Sequence, residues 1–282
     1  MEKAKSILLI GSSKTGKTNF GAKLYGYLRQ KEGQLILNKS PDNISLFEEA
    51  LNKLNQGLLP SHTSTETYQN MALSVTLAGK SMALVWPDYG GEQIQQILER
   101  RQVNSNWQQR VAEAEGWLFF IRLEQLRDYN DILSRPIGDL VRTPDETDNV
   151  EVKWSEQAHF IELLQILLFT KGIETIKKVK KPVLGIILSC WDELDGLKEN
   201  VQPTELLRQR TPLLSEFVNA IWEKEAHFVM GLSSLGKSLK TDQEDEEYIE
   251  IGPEEFGYVI RQNGTKSHDL TLPIVELIQR IV

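Results

Sequence analysis

The stretch Gly11-Ser12-Ser13-Lys14-Thr15-Gly16-Lys17-Thr18 carries the most specific chemistry in this chain. It fits the pattern GxxxxGK[ST] at every fixed position, directly after an apolar run and ahead of an amphipathic one. Glycines let the backbone curl so that successive N–H groups aim at one phosphate, and the following helix adds the positive end of its dipole. Gly11, Ser13, Lys14, Thr15, Gly16 and Asn19 are therefore expected to line a phosphate chain. Lys17 is expected to reach the β and γ phosphates and to serve in catalysis, and the Thr18 hydroxyl to hold Mg²⁺, which takes oxygen ligands and keeps several waters.

Four further groups of residues fit around such a loop. Pro87-Asp88-Tyr89-Gly90-Gly91-Glu92 ends a hydrophobic run and contains DxxG. There Asp88 is a candidate to contact Mg²⁺ through water, and Gly91 offers an unobstructed N–H to a γ phosphate. In the loop from Pro60 to Thr67, Thr63, Thr65 and Thr67 are candidates to complete the metal shell, with Thr63 taken first. Ser189-Cys190-Trp191-Asp192 follows an apolar run, at the kind of strand end where ligands sit in open α/β sheets. An aspartate accepting from N1–H and the exocyclic amine selects guanine over adenine, so Asp192 is the base-reading candidate, with Ser189 beside it. Ser233 and Ser234 end another such run and are expected to present a backbone N–H to the guanine O6.

Alternating short apolar runs and longer amphipathic ones must position these groups, the pattern of a largely parallel sheet flanked by helices. Strands are expected at Lys5 to Ile10, Gln34 to Leu37, Ala72 to Ala78, Met82 to Trp86, Gly116 to Arg122, Pro182 to Leu188 and His227 to Leu232, with a turn at Gly79-Lys80. Helices are expected at Gly16 to Gln30, Asn43 to Gln56, Glu92 to Glu113, Ser155 to Val179, Thr204 to Glu223 and Leu272 to Ile281. The fold class is α/β, and residues 1–282 are expected to form a single domain. Two stretches break the rhythm. Residues 127–153 are polar and read as an inserted loop. Eight of the fourteen residues from 242 to 255 are acidic, which reads as an exposed loop rather than a helix. Asn263-Gly264 favours a small hairpin before the last helix.

The 282 residues are 40% hydrophobic and 26% charged, which excludes disordered, collagenous and coiled-coil classes. A net charge of −8 lacks the field that nonspecific nucleic-acid or anionic-membrane binding needs. No apolar run approaches the ~20 residues of a membrane span, and the N-terminal apolar run is too short for a signal peptide. The single Cys190 excludes an internal disulfide and points to a reducing compartment, the cytosol.

With GSSKTGKT, DYGG, SCWD and SSL in this order, the sequence resembles a TRAFAC-like P-loop GTPase with a Ras-like core and insertions. The helical segment before Pro60, the run WPDYGGE and the end GYVIRQNGTKSHDLTLPIVELI resemble more closely the bacterial double-GTPase family of biological-conflict systems. The resemblance implies GTP and GDP as ligands, Mg²⁺ as cofactor, and a switch in antiviral defence or stress signalling with a protein activator or effector as partner. It also implies that Ser189 and Cys190 replace the Asn-Lys of an Asn-Lys-x-Asp base motif. Glu92 stands where Ras-like proteins place a water-orienting glutamine, so slow hydrolysis is expected unless Glu92 turns away or Gln93 substitutes. An arginine finger from Arg100, Arg101 or a partner would raise the rate. An ATPase on the same loop and a non-hydrolysing nucleotide-bound scaffold remain the alternatives.

Overall fold

The computed structural model of this chain describes residues 5–30, 33–39, 45–60, 69–88, 92–126, 155–194 and 201–281. The strands are β1 (Lys5–Ile10), β2 (Leu35–Lys39), β3 (Gln69–Leu77), β4 (Lys80–Asp88), β5 (Ala114–Ile121), β6 (Val183–Ser189), β7 (His227–Ser233), β8 (Tyr258–Ile260) and β9 (Lys266–Ser267). They form one sheet in the order β2-β3-β4-β1-β5-β6-β7-β8-β9. The central strands β4, β1, β5, β6 and β7 run parallel, and antiparallel pairs extend the sheet at both sides. This is the α/β fold of P-loop GTPase type expected from the sequence, with helices on both faces.

Burial on both faces explains the near-continuous apolar strands at the centre, since every residue of β6 is buried. One layer packs Phe20, Leu24 and Leu28 against Leu277 and Ile278, and the opposite layer packs Trp107, Trp117, Leu164 and Trp222. Close approach demands glycine in β6: a Cβ on Gly185 would stand 2.5 Å from Phe228 and 2.7 Å from Leu118.

The helices are α1 (Lys17–Arg29), α2 (Ser45–Asn55), α3 (Glu92–Arg100), α4 (Ser105–Glu113), α5 (Glu156–Thr170), α6 (Pro203–Arg210), α7 (Pro212–Ile221), α8 (Glu246–Ile251) and α9 (Leu272–Ile281). Several differ from the sequence reading for local reasons. The helix expected from Glu92 to Glu113 is two helices. Arg101 takes φ 49, and Asn104 starts α4 by accepting from the Trp107 N–H at 3.0 Å. The helix expected from Thr204 to Glu223 also divides, because Pro212 has no N–H and excludes helical geometry at Thr211. α5 stops at Thr170 rather than Val179, where Gly172 at φ 73 turns the chain. Between β3 and β4 the tight turn is Ala78-Gly79, both at positive φ, one residue earlier than expected.

The acidic stretch is corrected more substantially, since residues 246–251 form α8 and not a loop. Asp245 caps it by accepting from the Tyr248 N–H at 2.9 Å, and Tyr248 is fully buried, stacked on Phe256 at 4.4 Å between ring centroids. One buried aromatic anchor outweighs the repulsion of its acidic neighbours. The hairpin around Asn263-Gly264 is present as β8 and β9, with Gly264 at φ 86. Residues 127–153, read as an inserted loop, lie outside the described residues. Among the described residues, no helix is long and apolar enough to cross a membrane.

Candidate functional site

The loop between β1 and α1 leaves the central strand and enters its helix through backbone of unusual sign. Lys14 takes φ 63 and Gly16 φ 77, so N–H groups that would otherwise alternate turn to one side. Gly11 is fixed from below, because a Cβ there would meet the Phe120 carbonyl oxygen at 3.0 Å and Thr15 Oγ1 at 2.8 Å. Buried Thr15 holds the curl by donating to the Ser12 carbonyl at 2.9 Å. Lys17 Nζ donates to the carbonyls of Gly11 at 2.7 Å and Ser12 at 2.8 Å, which keeps its charge over the loop.

Above this loop lies a cavity of about 420 Å³, a size suited to a small-molecule ligand. Ser13 to Asn19 form its floor, including Lys14, Thr15, Gly16, Lys17 and Thr18. The far wall comes from Ser189, Cys190 and Asp192 after β6 and from Ser234 and Leu235 after β7. The two segments expected from the sequence to read a base, more than 170 residues beyond the loop, therefore share its cavity. They do so because β1, β5, β6 and β7 are parallel and release their loops at one edge of the sheet.

Asp192 is held in a 3-10 turn, Trp191–Glu193. Buried Ser233 donates its hydroxyl to Asp192 Oδ1 and accepts the Gly236 N–H at 2.9 Å, so the two strand ends are tied together. Trp191 sets the height of the turn by lying on β7, where a Cβ on Gly231 would stand 2.2 Å from the indole. Cys190 takes the left-handed conformation at φ 52, ψ 45, a strained geometry for a non-glycine residue. Its Sγ approaches within 3.8 Å of where a Gly16 Cβ would be, so the thiol packs on the phosphate loop itself. Burial pushes the thiol up to about 12, although the Arg122 guanidinium pulls the other way.

Sequence reasoning missed several contributors. Arg122, just past β5, lines the cavity and bridges Lys14 and Glu193. Lys237 lines it too and pairs with Asp245 at 2.8 Å and Glu247 at 2.7 Å, which raises the ammonium above its ordinary value. Leu59 and Pro60 close one side, fixed by the Leu59 N–H to the Lys240 carbonyl at 2.7 Å. No local pattern marks these residues: Arg122 and Leu59 act through partners distant in sequence, and Lys237 through acids eight and ten residues on.

Toward α3, Glu92 accepts from the Ser13 hydroxyl at 3.1 Å through Oε1, while its buried Oε2 has no hydrogen-bond partner among the described residues. Both residues line a second cavity of about 1150 Å³ that continues from the phosphate loop between α3 and α5. Gln93 turns inward: it is buried, and its Oε1 accepts from Trp107 Nε1 at 2.9 Å. Arg101 lines the second cavity and pairs with Glu162 at 2.7 Å; Arg100 also lines it. The Asp88 backbone ends β4, beside β1, opposite Gln69 of β3. Thr63 and Gly91 lie outside the described residues.

Mg²⁺ suits the donors available at this edge. Thr18 lies on the cavity floor beside Lys17 and carries a hydroxyl, a hard oxygen donor of the kind Mg²⁺ prefers. Phosphate oxygens and water ordinarily complete its shell, so a multi-carboxylate cage is not required.

A family model described as Double-GTPase 1 matches residues 8–277, nearly the whole chain. No curated protein matches it.

Proposed function

The chain belongs to the Double-GTPase 1 family, and from its cavity we propose a GTP-binding, slowly hydrolysing molecular switch. The observation that carries this reading is the single cavity shared by Lys17, Thr18, Asp192 and Ser234. Lys17 and the loop N–H groups hold the β and γ phosphates, and Asp192 reads guanine, oriented by the Ser233 hydroxyl. Ser234 and its neighbours carry the N–H for O6. Thr18, Asp88 and Thr63 would hold Mg²⁺, which when bound would neutralise phosphate charge. Gly91 senses the γ phosphate.

Hydrolysis joins a water oxygen to the γ phosphorus as the bond to the β–γ bridging oxygen breaks, giving GDP and inorganic phosphate. Positioned water and positive charge lower that barrier. The Glu92 carboxylate beside Ser13 and the inward turn of Gln93 support slow turnover, because neither offers a neutral amide to the attacking water. The same two observations favour, as a second reading, a scaffold that binds nucleotide without hydrolysing it. A protein activator supplying an arginine would raise turnover by ~10³ to 10⁵. The output is then a timed state of the Thr63 and Gly91 segments, used in defence or stress signalling in the cytoplasm.

Calorimetry with GDP and ADP, together with single-turnover GTP hydrolysis by the protein alone, tests the proposal. Expected are tighter GDP binding, loss of most affinity in Lys17→Ala, and slow phosphate release. Equal GTP binding by Lys17→Ala overturns the phosphate-loop assignment, tighter ADP binding makes the protein an ATPase, and release at tens per second removes the switch. No release under any condition leaves the scaffold.

A further inference from the structure

Among the described residues, four of the six exposed large apolar side chains lie in two stretches of opposite charge. Phe169, 85% exposed at the end of α5, and Ile176, 89% exposed in the following turn, form the first. Its segment, residues 171–182, contains Lys171, Lys177, Lys178, Lys180 and Lys181 against the single acid Glu174. Lys171 and Lys178 donate to the backbone carbonyls of Ala112 and Asn219, and the Glu115 carboxylate acts on the charge of Lys171. Lys180 and Lys181 form exposed pairs with Glu223 at 3.6 Å and Glu115 at 3.2 Å. Such pairs are weak and exchange readily for a better acid.

Ile251, 51% exposed at the last residue of α8, marks the second, while Ile249, 39% exposed two residues earlier and so on another face of the helix, lies beside Gly57. They stand within a stretch of fourteen residues, 242–255, that contains eight acids and no lysine or arginine. Lys237 compensates Asp245 and Glu247, while Glu246, Glu250 and Glu255 add further negative charge to the same stretch.

The topology keeps these patches apart within one molecule. Residues 171–182 lead into β6 and touch the ends of α4 and α7, all at the edge where the parallel strands begin. α8 follows β7 and is tied to Lys237, at the edge where those strands end. A strand of seven residues separates the two edges by roughly 20 Å.

We propose that a second copy of this chain docks head to tail, its α8 acids and Ile251 seated on the lysine-rich turn beside Phe169 and Ile176. Apolar anchors inside a complementary charged rim are the arrangement that specific interfaces use. Because the two patches differ, the contact is heterologous and repeats into a ring or a filament. Asp245 and Glu247 also hold Lys237, which lines the nucleotide cavity, so assembly and occupancy of that cavity are linked in both directions.

Sedimentation velocity on the full chain, nucleotide-free and with GDP, tests this at ~0.05 M and ~0.5 M salt, where the Debye length falls severalfold. Oligomers are expected at low salt and monomers at high salt. One variant carries Lys177→Glu, Lys178→Glu and Lys180→Glu; another carries Glu246→Lys, Glu250→Lys and Glu255→Lys. Each alone should weaken self-association at least tenfold, and a mixture of the two should restore it, because each then offers the patch the other lacks. Phe169→Ser with Ile176→Ser should weaken it without lowering the melting temperature, since both side chains are solvent-exposed. Wild type that stays monomeric at low salt overturns the proposal, as does association that survives both charge reversals. Wild type that remains monomeric yet cosediments with phosphatidylserine vesicles through Lys177 and Lys178 makes the turn a membrane contact instead. The nucleotide-free arm distinguishes failure of the assembly from failure of the GTPase reading.

Discussion

Arg122 and Glu193 face each other as a planar fork, Nε to Oε2 at 2.7 Å and Nη2 to Oε1 at 2.5 Å. The remaining Nη1 donates to the Lys14 carbonyl at 3.1 Å. One side chain at the end of β5 thus joins the phosphate loop to the turn that carries Asp192.

Breaking this fork is expected to loosen both ends of the cavity together. The pair is about one-fifth to one-quarter exposed, so solvent screening limits its worth to ~1–2 kcal/mol. Arg122→Lys keeps the charge but not the fork, and should lower both melting temperature and GDP affinity. A double-mutant cycle with Glu193→Gln is the measurement, and simple additivity of the two losses would exclude the coupling.

Base selection should depend on Ser233 as well as Asp192. Ser233→Ala removes the hydroxyl that orients the carboxylate and also strips the Gly236 N–H of its acceptor. GDP affinity should fall by about tenfold to a hundredfold, corresponding to ~1.5–3 kcal/mol for a hydrogen bond to a charged group. Asp192→Asn exchanges an acceptor for donors and should relax or shift the preference for GDP over ADP. Calorimetry on both nucleotides reads this, and unchanged GDP preference in Asp192→Asn would move base recognition elsewhere.

Gly231→Ala is expected to act on the site through Trp191. The new methyl would stand 2.2 Å from the indole, inside any real contact distance, so the ring and its turn must shift. The expected cost is ~1–3 kcal/mol in denaturant unfolding, with weaker GDP binding than stability alone explains. Wild-type stability in this variant would show that Trp191 does not rest on β7.

Lys23 supplies the pH dependence. On α1, it is buried with its ammonium donating to the Pro253 carbonyl, and burial lowers it from 10.5 to about 8, partly opposed by Glu254. Between those values the unfolded chain still binds a proton that the folded chain has released, so stability rises with pH across the window. The cost of holding the charge inside is present in full below about 8 and disappears as pH climbs toward 10.5. Lys23→Met should abolish that slope, on the order of 2–3 kcal/mol, relative to wild type. Urea denaturation of both proteins from pH 7.5 to 10.5 gives the comparison, and parallel curves would refute the assignment.

What the sequence by itself determined is local. The spacing from Gly11 to Thr18 allows one loop conformation between a strand and a helix, and the apolar runs around Ile7, Phe119 and Ile187 require strands buried on both faces. Asp192 and Ser234 stood out because each follows such a run. Tertiary structure decided everything that rests on a distant partner. The fork of Arg122 on Glu193 and the contact of Trp191 on Gly231 leave no periodic trace, since neither residue type nor spacing encodes a meeting across strands. The division at Asn104 was written in the sequence as a capping residue, yet the amphipathic pattern runs on through it and conceals the break. Tyr248 shows the same limit most plainly: eight acids in fourteen residues describe a solvated loop, and only the pocket beside Phe256, built from other parts of the chain, turns them into a helix.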